Sequence, residues 1–174
     1  MSGRSGPERP PLPGAADAAA ALRALEAAGA TLATAESLTG GLIGAALTSV
    51  PGASAVYRGG AVAYATELKA RMLGVPRELL EARGAVDPDV ASAMARGAAA
   101  VLEADFGLAV TGVAGPEPQD GRTAGTVFAA VHGTGGLSRV SEFFLTGDRA
   151  EIRAATTEQA LRLLRSEVAA ITGR

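Results

Sequence analysis

The chain has 174 residues, 48% apolar and 20% charged, with a net charge of −2 and a pI near 5.5. That length holds one domain with a full hydrophobic core and is short for two. The charge balance leaves no basic footprint for nucleic acid, and no apolar run is long enough to span a membrane. Cysteine is absent, which excludes disulfides, thiolate nucleophiles and thiolate metal sites, and the single histidine, His132, excludes a paired-histidine zinc site.

Residues 1–14 are rich in Gly, Pro, Ser and Arg and lack the apolar core of a signal peptide. A disordered tail is expected over 1–16, ahead of a single domain at 17–174, in a cytoplasmic protein. Residues 17–28 read as an Ala-rich helix stopped by Gly29. A short buried strand follows at 30–35, then a helix over 37–50 closed by Pro51 and Gly52. A loop at 53–60 leads to a second short strand at 61–64 and a helix at 66–73. Gly74 and Pro76 break that helix, and a short one follows at 77–83. Asp87 and Pro88 read as the cap and first residue of a long helix reaching about residue 104. A third strand at 106–110 runs into a Gly-rich loop, and residues 117–124 read as polar and mobile. Strands at 125–132 and 139–145 are joined by a glycine turn, and Asp148 caps a last helix that ends near Ile171.

Helices alternating with short apolar strands, with one late hairpin, predict a three-layer α/β/α sandwich around a mixed, mostly parallel five-stranded sheet. Ligands in such folds bind beyond the carboxyl ends of the strands. Three loops share that position: residues 36–41, 64–69 and 111–115.

The first of them, Ala35-Glu36-Ser37-Leu38-Thr39-Gly40-Gly41, turns from strand to helix through hydroxyls and paired glycines. Unpaired N–H groups and the helix dipole there favour an anion or a developing oxyanion, and Ser37 could project as a nucleophile. The same residues would also serve simply to cap the helix. Of sixteen Lys and Arg residues only Lys69 is lysine. In such a background a lone amine marks a position where a side chain that can lose its proton is needed, or one that survived by chance.

The segments AESLTGG (35–41), PGAS (51–54), GGAVAY with Lys69 and LGV (59–75), GAV (84–86), TGVAGP (111–116), GTV (125–127) and GDRAEIR (147–153) follow one another in a specific order and spacing. With them the chain resembles the C-terminal domain of the competence/damage-inducible CinA proteins and the PncC-type nicotinamide-nucleotide amidohydrolases, over residues 17–172. The resemblance implies the three-layer fold and hydrolysis of nicotinamide mononucleotide to nicotinic acid mononucleotide and ammonia, without metal or cofactor. It places the catalytic Ser on Ser37, the Tyr on Tyr64 and the Lys on Lys69. It puts a substrate-contacting Thr on Thr111 and a phosphate partner on Arg149. Glu36, Thr39, Gly40, Gly41 and Gly112, from the two Gly-rich loops, complete the expected substrate contacts. A homo-oligomer, a dimer, is expected, with a small nucleotide as ligand and neither nucleic acid nor membrane as partner. Where relatives commonly carry a polar Ser-Asn pair after the Tyr, this chain has Ala65 and Thr66.

Such a set suits an amidase. A Ser–Lys pair activates the hydroxyl where no histidine is available. Lysine titrates near 10.4 in water, so work near neutrality requires a drop of about 3 units. Tyr64 would relay a proton to departing ammonia, and backbone N–H groups over 38–40 would hold the oxyanion. The alternative is a catalytically silent nucleotide- or partner-binding module that kept the crevice.

Overall fold

A computed structural model describes residues 10–173. Residues 1–9 of the expected tail lie outside the described residues. In chain order the elements are α1 (Ala15–Ala27), β1 (Leu32–Glu36), α2 (Leu42–Thr48), β2 (Tyr57–Val62), α3 (Thr66–Leu73), α4 (Arg77–Arg83), α5 (Pro88–Val101), β3 (Phe106–Gly112), β4 (Thr126–Gly133), β5 (Leu137–Phe144) and α6 (Arg149–Thr172). The protein is a three-layer α/β/α sandwich with a mixed five-stranded sheet in the order β2-β1-β3-β4-β5. β1 pairs in parallel with β2 and β3, whereas β3–β4 and β4–β5 are antiparallel, so β4 alone runs against the other strands.

Alternation along the strands sorts side chains between two cores. Leu32, Leu108, Val110 and Val127 point to one face and pack under α1, α2 and α6. Ala33, Ala35, Ala109 and Phe128 point to the other, under α3, α4 and α5. The small residues on this second face let α5 approach closely. A Cβ on Gly107 would collide with the Ala95 carbonyl of that helix, so only glycine fits there.

The caps explain where the later helices begin. Asp87 accepts from the Asp89 N–H at 2.9 Å with Pro88 in the first helical position. Asp148 and Glu151 form a reciprocal capping box at the start of α6. The helices over 66–73 and 77–83 lie where the sequence predicts them. Several element ends differ: α1 opens at Ala15, inside the tail expected over 1–16, α5 stops at Val101, and β5 begins at Leu137 rather than at 139. β2 begins at Tyr57 rather than at 61, because Gly59 and Gly60 are paired as strand residues against Ala33 and Thr34. Residue 60 passes so close to the Thr34 and Tyr57 hydroxyls that no Cβ has room. α2 begins at Leu42 rather than at 37: Gly40 (φ 57°) and Gly41 (φ 100°) are left-handed, which keeps residues 37–41 out of the helix.

Candidate active site

Glu36 and Ser37 leave the end of β1 on opposite faces of the sheet, and this divergence organises the site. Glu36 shares its parity with Leu32 and points toward α2. Its carboxylate accepts from Thr39 Oγ1 at 2.6 Å and from the N–H groups of Gly41, Ile43 and Gly44 at 3.0, 3.1 and 2.8 Å. With 2% of its surface exposed, Glu36 satisfies the orphan donors at the start of α2. The expectation that it contacts substrate is corrected on this ground, since both oxygens are already engaged. Thr39, fully buried with its hydroxyl on Glu36, likewise belongs to the loop's framework.

Ser37 shares its parity with Ala33 and Ala35 and points toward the α3 layer, where Lys69 lies within hydrogen-bond reach. Lys69 Nζ donates to Ser37 Oγ at 3.1 Å and to the Ala63 carbonyl at 2.8 Å. Lys69 is 1% exposed and among the largest fully buried side chains of the protein. Burial pushes its ammonium down from the ordinary 10.5 to about 8, against the opposing fields of Asp120 and Glu67. An amine that is neutral over part of the physiological range and touches a hydroxyl can accept that hydroxyl's proton.

Ser37 and Leu38 line a crevice of about 310 Å³ together with Tyr64, residues 112–119 and Arg149. Lys69 lies behind Ser37, outside the lining. Tyr64 lies just past the end of β2, 58% exposed. Its hydroxyl accepts from Arg149 Nη2 at 2.7 Å, which leaves its own proton free to donate. Arg149 Nη1 also donates to the Gly115 carbonyl at 3.0 Å. The guanidinium therefore bridges two walls of the crevice and keeps further N–H donors for a ligand.

Thr111 does not face this space. It is 1% exposed and donates to the Ala85 carbonyl at 2.6 Å, so it ties the end of β3 to the α4–α5 turn. Gly112 does line the crevice, whereas Gly40 and Gly41 shape the loop behind Ser37. Asp120 accepts from the Ala85 N–H at 2.6 Å and so anchors the crevice-side loop between β3 and β4.

Two features escape the sequence reading. Arg153 of α6 donates to the carbonyls of Leu38 and Thr39 at 2.9 and 2.8 Å. Its signal is the spacing of four from Arg149 within the GDRAEIR segment, which stacks both on one helix face. The second feature is which N–H groups of the loop remain free. The Gly40 N–H is spent on the Ser37 carbonyl, and that of Gly41 on Glu36, so the donor set expected over 38–40 is corrected. Among the described residues, no protein acceptor takes the N–H of Leu38 or Thr39. Also among the described residues, no three His, Asp or Glu side chains gather as a metal-holding group, and no helix is long and apolar enough to cross a membrane.

A sequence profile of the CinA C-terminal domain matches residues 15–168. A CinA-like protein of Frankia casuarinae is 51% identical over 142 residues, which are 82% of this chain and 33% of that protein. A CinA-like protein of Geobacter sulfurreducens is 50% identical over 138 residues, 79% of this chain and 33% of the relative. The chain thus spans about a third of the length of these curated relatives. Among solved structures, the competence/damage-inducible protein CihA of Agrobacterium tumefaciens superposes with a TM-score of 0.84 at 37% identity, over 95% of this chain and 98% of that one. A CinA superfamily protein of Klebsiella pneumoniae gives 0.85 at 34% identity, over 89% and 97% of the respective chains.

Proposed function

The chain belongs to the CinA C-terminal domain family, and from that premise we propose that it hydrolyses the carboxamide of nicotinamide mononucleotide to nicotinic acid mononucleotide and ammonia. The observation that carries this reading is the contact of the chain's one lysine, buried and depressed to about 8, with Ser37 Oγ at 3.1 Å. Ser37 Oγ attacks the carboxamide carbon while its proton passes to Lys69 Nζ. The carbonyl oxygen becomes an oxyanion, which the free N–H groups of Leu38 and Thr39 are available to hold. Collapse of that adduct breaks the C–N bond, and the leaving nitrogen takes the proton that Lys69 accepted, directly or with Tyr64 as relay, so that Lys69 is neutral again. Water then attacks the Ser37 ester and gives a proton to Lys69, which hands it to Ser37 Oγ as the ester C–O bond breaks; the acid product ionises to the carboxylate, and the hydroxyl and neutral amine are restored.

Arg149 supports the nucleotide part of the reading, because its remaining donors can meet phosphate oxygens at the crevice wall. The cytoplasmic location and the dimer belong to the same proposal. The test is ammonia release from nicotinamide mononucleotide by the purified chain, with Ser37→Ala as the control that binds but does not turn over. Saturable nucleotide binding with no ammonia from the wild type would instead favour the silent binding module.

A further inference from the structure

Arg153 reaches from the first turns of α6 across 115 residues of sequence to the loop that carries Ser37. Its Nε donates to the Leu38 carbonyl at 2.9 Å and its Nη2 to the Thr39 carbonyl at 2.8 Å. Among the described residues, no carboxylate comes within 4.0 Å of this half-buried guanidinium. A cation whose hydrogen bonds among the described residues go to two backbone carbonyls has an orienting task rather than an ion-pairing one, and a planar fork suits successive carbonyls as an ammonium does not.

The consequence follows from peptide geometry. In a trans peptide the C=O and N–H point in opposite directions. Drawing the Leu38 carbonyl toward α6 therefore turns the Thr39 N–H away from α6. This N–H, like that of Leu38, has no protein acceptor among the described residues. The next peptide is held the same way, and its N–H closes on the Ser37 carbonyl at 3.0 Å. Glu36 grips the loop through the N–H groups of Gly41, Ile43 and Gly44 while Arg153 grips it through the carbonyls of Leu38 and Thr39, so opposite charges fix successive peptides of the same turn. A guanidinium on a carbonyl also polarises that peptide and makes its N–H a better donor.

We infer that Arg153 is a positioning residue for the amide hydrolysis proposed above, holding the Leu38–Thr39 peptide so that its N–H serves the oxyanion formed at Ser37. The inference rests on that reading of the reaction. Its role differs from that of Arg149, one helical turn earlier, which lines the crevice itself.

The experiment compares wild type, Arg153→Lys and Arg153→Met with nicotinamide mononucleotide. Alongside turnover it follows the rate at which phenylmethanesulfonyl fluoride labels Ser37, read by intact mass. Arg153→Met should lower kcat by about 10²-fold, the usual effect of losing an oxyanion donor, with KM changed less than about threefold. Arg153→Lys, which keeps the charge and loses the fork, should fall between the two, and methylguanidinium should restore part of the Met variant's rate. The pH at which the rate rises should not move. Unchanged kcat in both variants overturns the inference. So does a loss in which KM and the pH profile shift together, the mark of a collapsed loop. If the wild type labels at Ser37 but releases no ammonia, the substrate reading fails while slower labelling of Arg153→Met still supports the clamp. No labelling and no turnover in the wild type overturns both.

Discussion

Glu36 and Ser37 are adjacent in sequence, yet their side chains serve different layers of the sandwich: one carboxylate accepts four hydrogen bonds at the start of α2, and one hydroxyl meets Lys69 of α3 at 3.1 Å. A strand end that splits in this way couples loop rigidity to nucleophile placement. Substitutions at Lys69 and Glu36 separate these two contributions.

If Lys69 acts as the base, kcat rises with pH and levels off above about 8, where the amine is neutral. Lys69→Arg should be as damaging as Lys69→Met, about 10²–10⁴-fold in kcat, because a guanidinium keeps its proton. Asp120→Asn should move the rise to lower pH, since the Asp120 field raises the lysine's pKa. Near-normal turnover by the Arg variant would end the Ser–Lys mechanism.

The same depression has a signature in stability. The unfolded chain holds the lysine proton up to about 10.5, and the folded protein sheds it at about 8. Stability from this group is therefore lowest below about 8 and rises through the window from 8 to 10.5, by about 3 kcal/mol in total. Urea unfolding at about pH 7 and about pH 10 should show that slope in the wild type and not in Lys69→Met.

Glu36→Gln should cost about 2–4 kcal/mol of stability, because an amide NH₂ replaces an acceptor facing backbone donors. Denaturant midpoints measure it directly. A loss under about 1 kcal/mol would mean that the start of α2 holds without the carboxylate.

Arg149→Met should raise KM for nicotinamide mononucleotide by about 10–100-fold and leave the phosphate-free riboside little affected, as expected for a charge-assisted bond to phosphate. Equal losses on both substrates would instead assign Arg149 to holding Tyr64.

Much of the site was legible because its residue types are scarce or strongly positional. A lone lysine stands out in any composition, and paired glycines after a strand announce a sharp turn. The strand over 57–62 was harder to see, because Gly59 and Gly60 read as loop until Thr34 and Tyr57 crowd the position from across the sheet. Glu36 and Thr111 read as ligand contacts because sequence order gives proximity and not direction; strand parity and the Ala85 carbonyl decide where they point. Arg153 stayed hidden because its partners are carbonyls, which every residue has and no motif marks.

The solitary lysine also gives the chain a built-in reporter. Apart from the α-amino group, the sequence offers no other primary amine, and Lys69 is 1% exposed. An acylating reagent can reach that nitrogen only when α3 lifts away from the end of β1. The slow appearance of an adduct located at residue 69 by peptide mapping, apart from any acylation of Ser37, therefore counts local opening events at the proposed centre. Crevice breathing in this protein can be followed at its native lysine, without installing any probe.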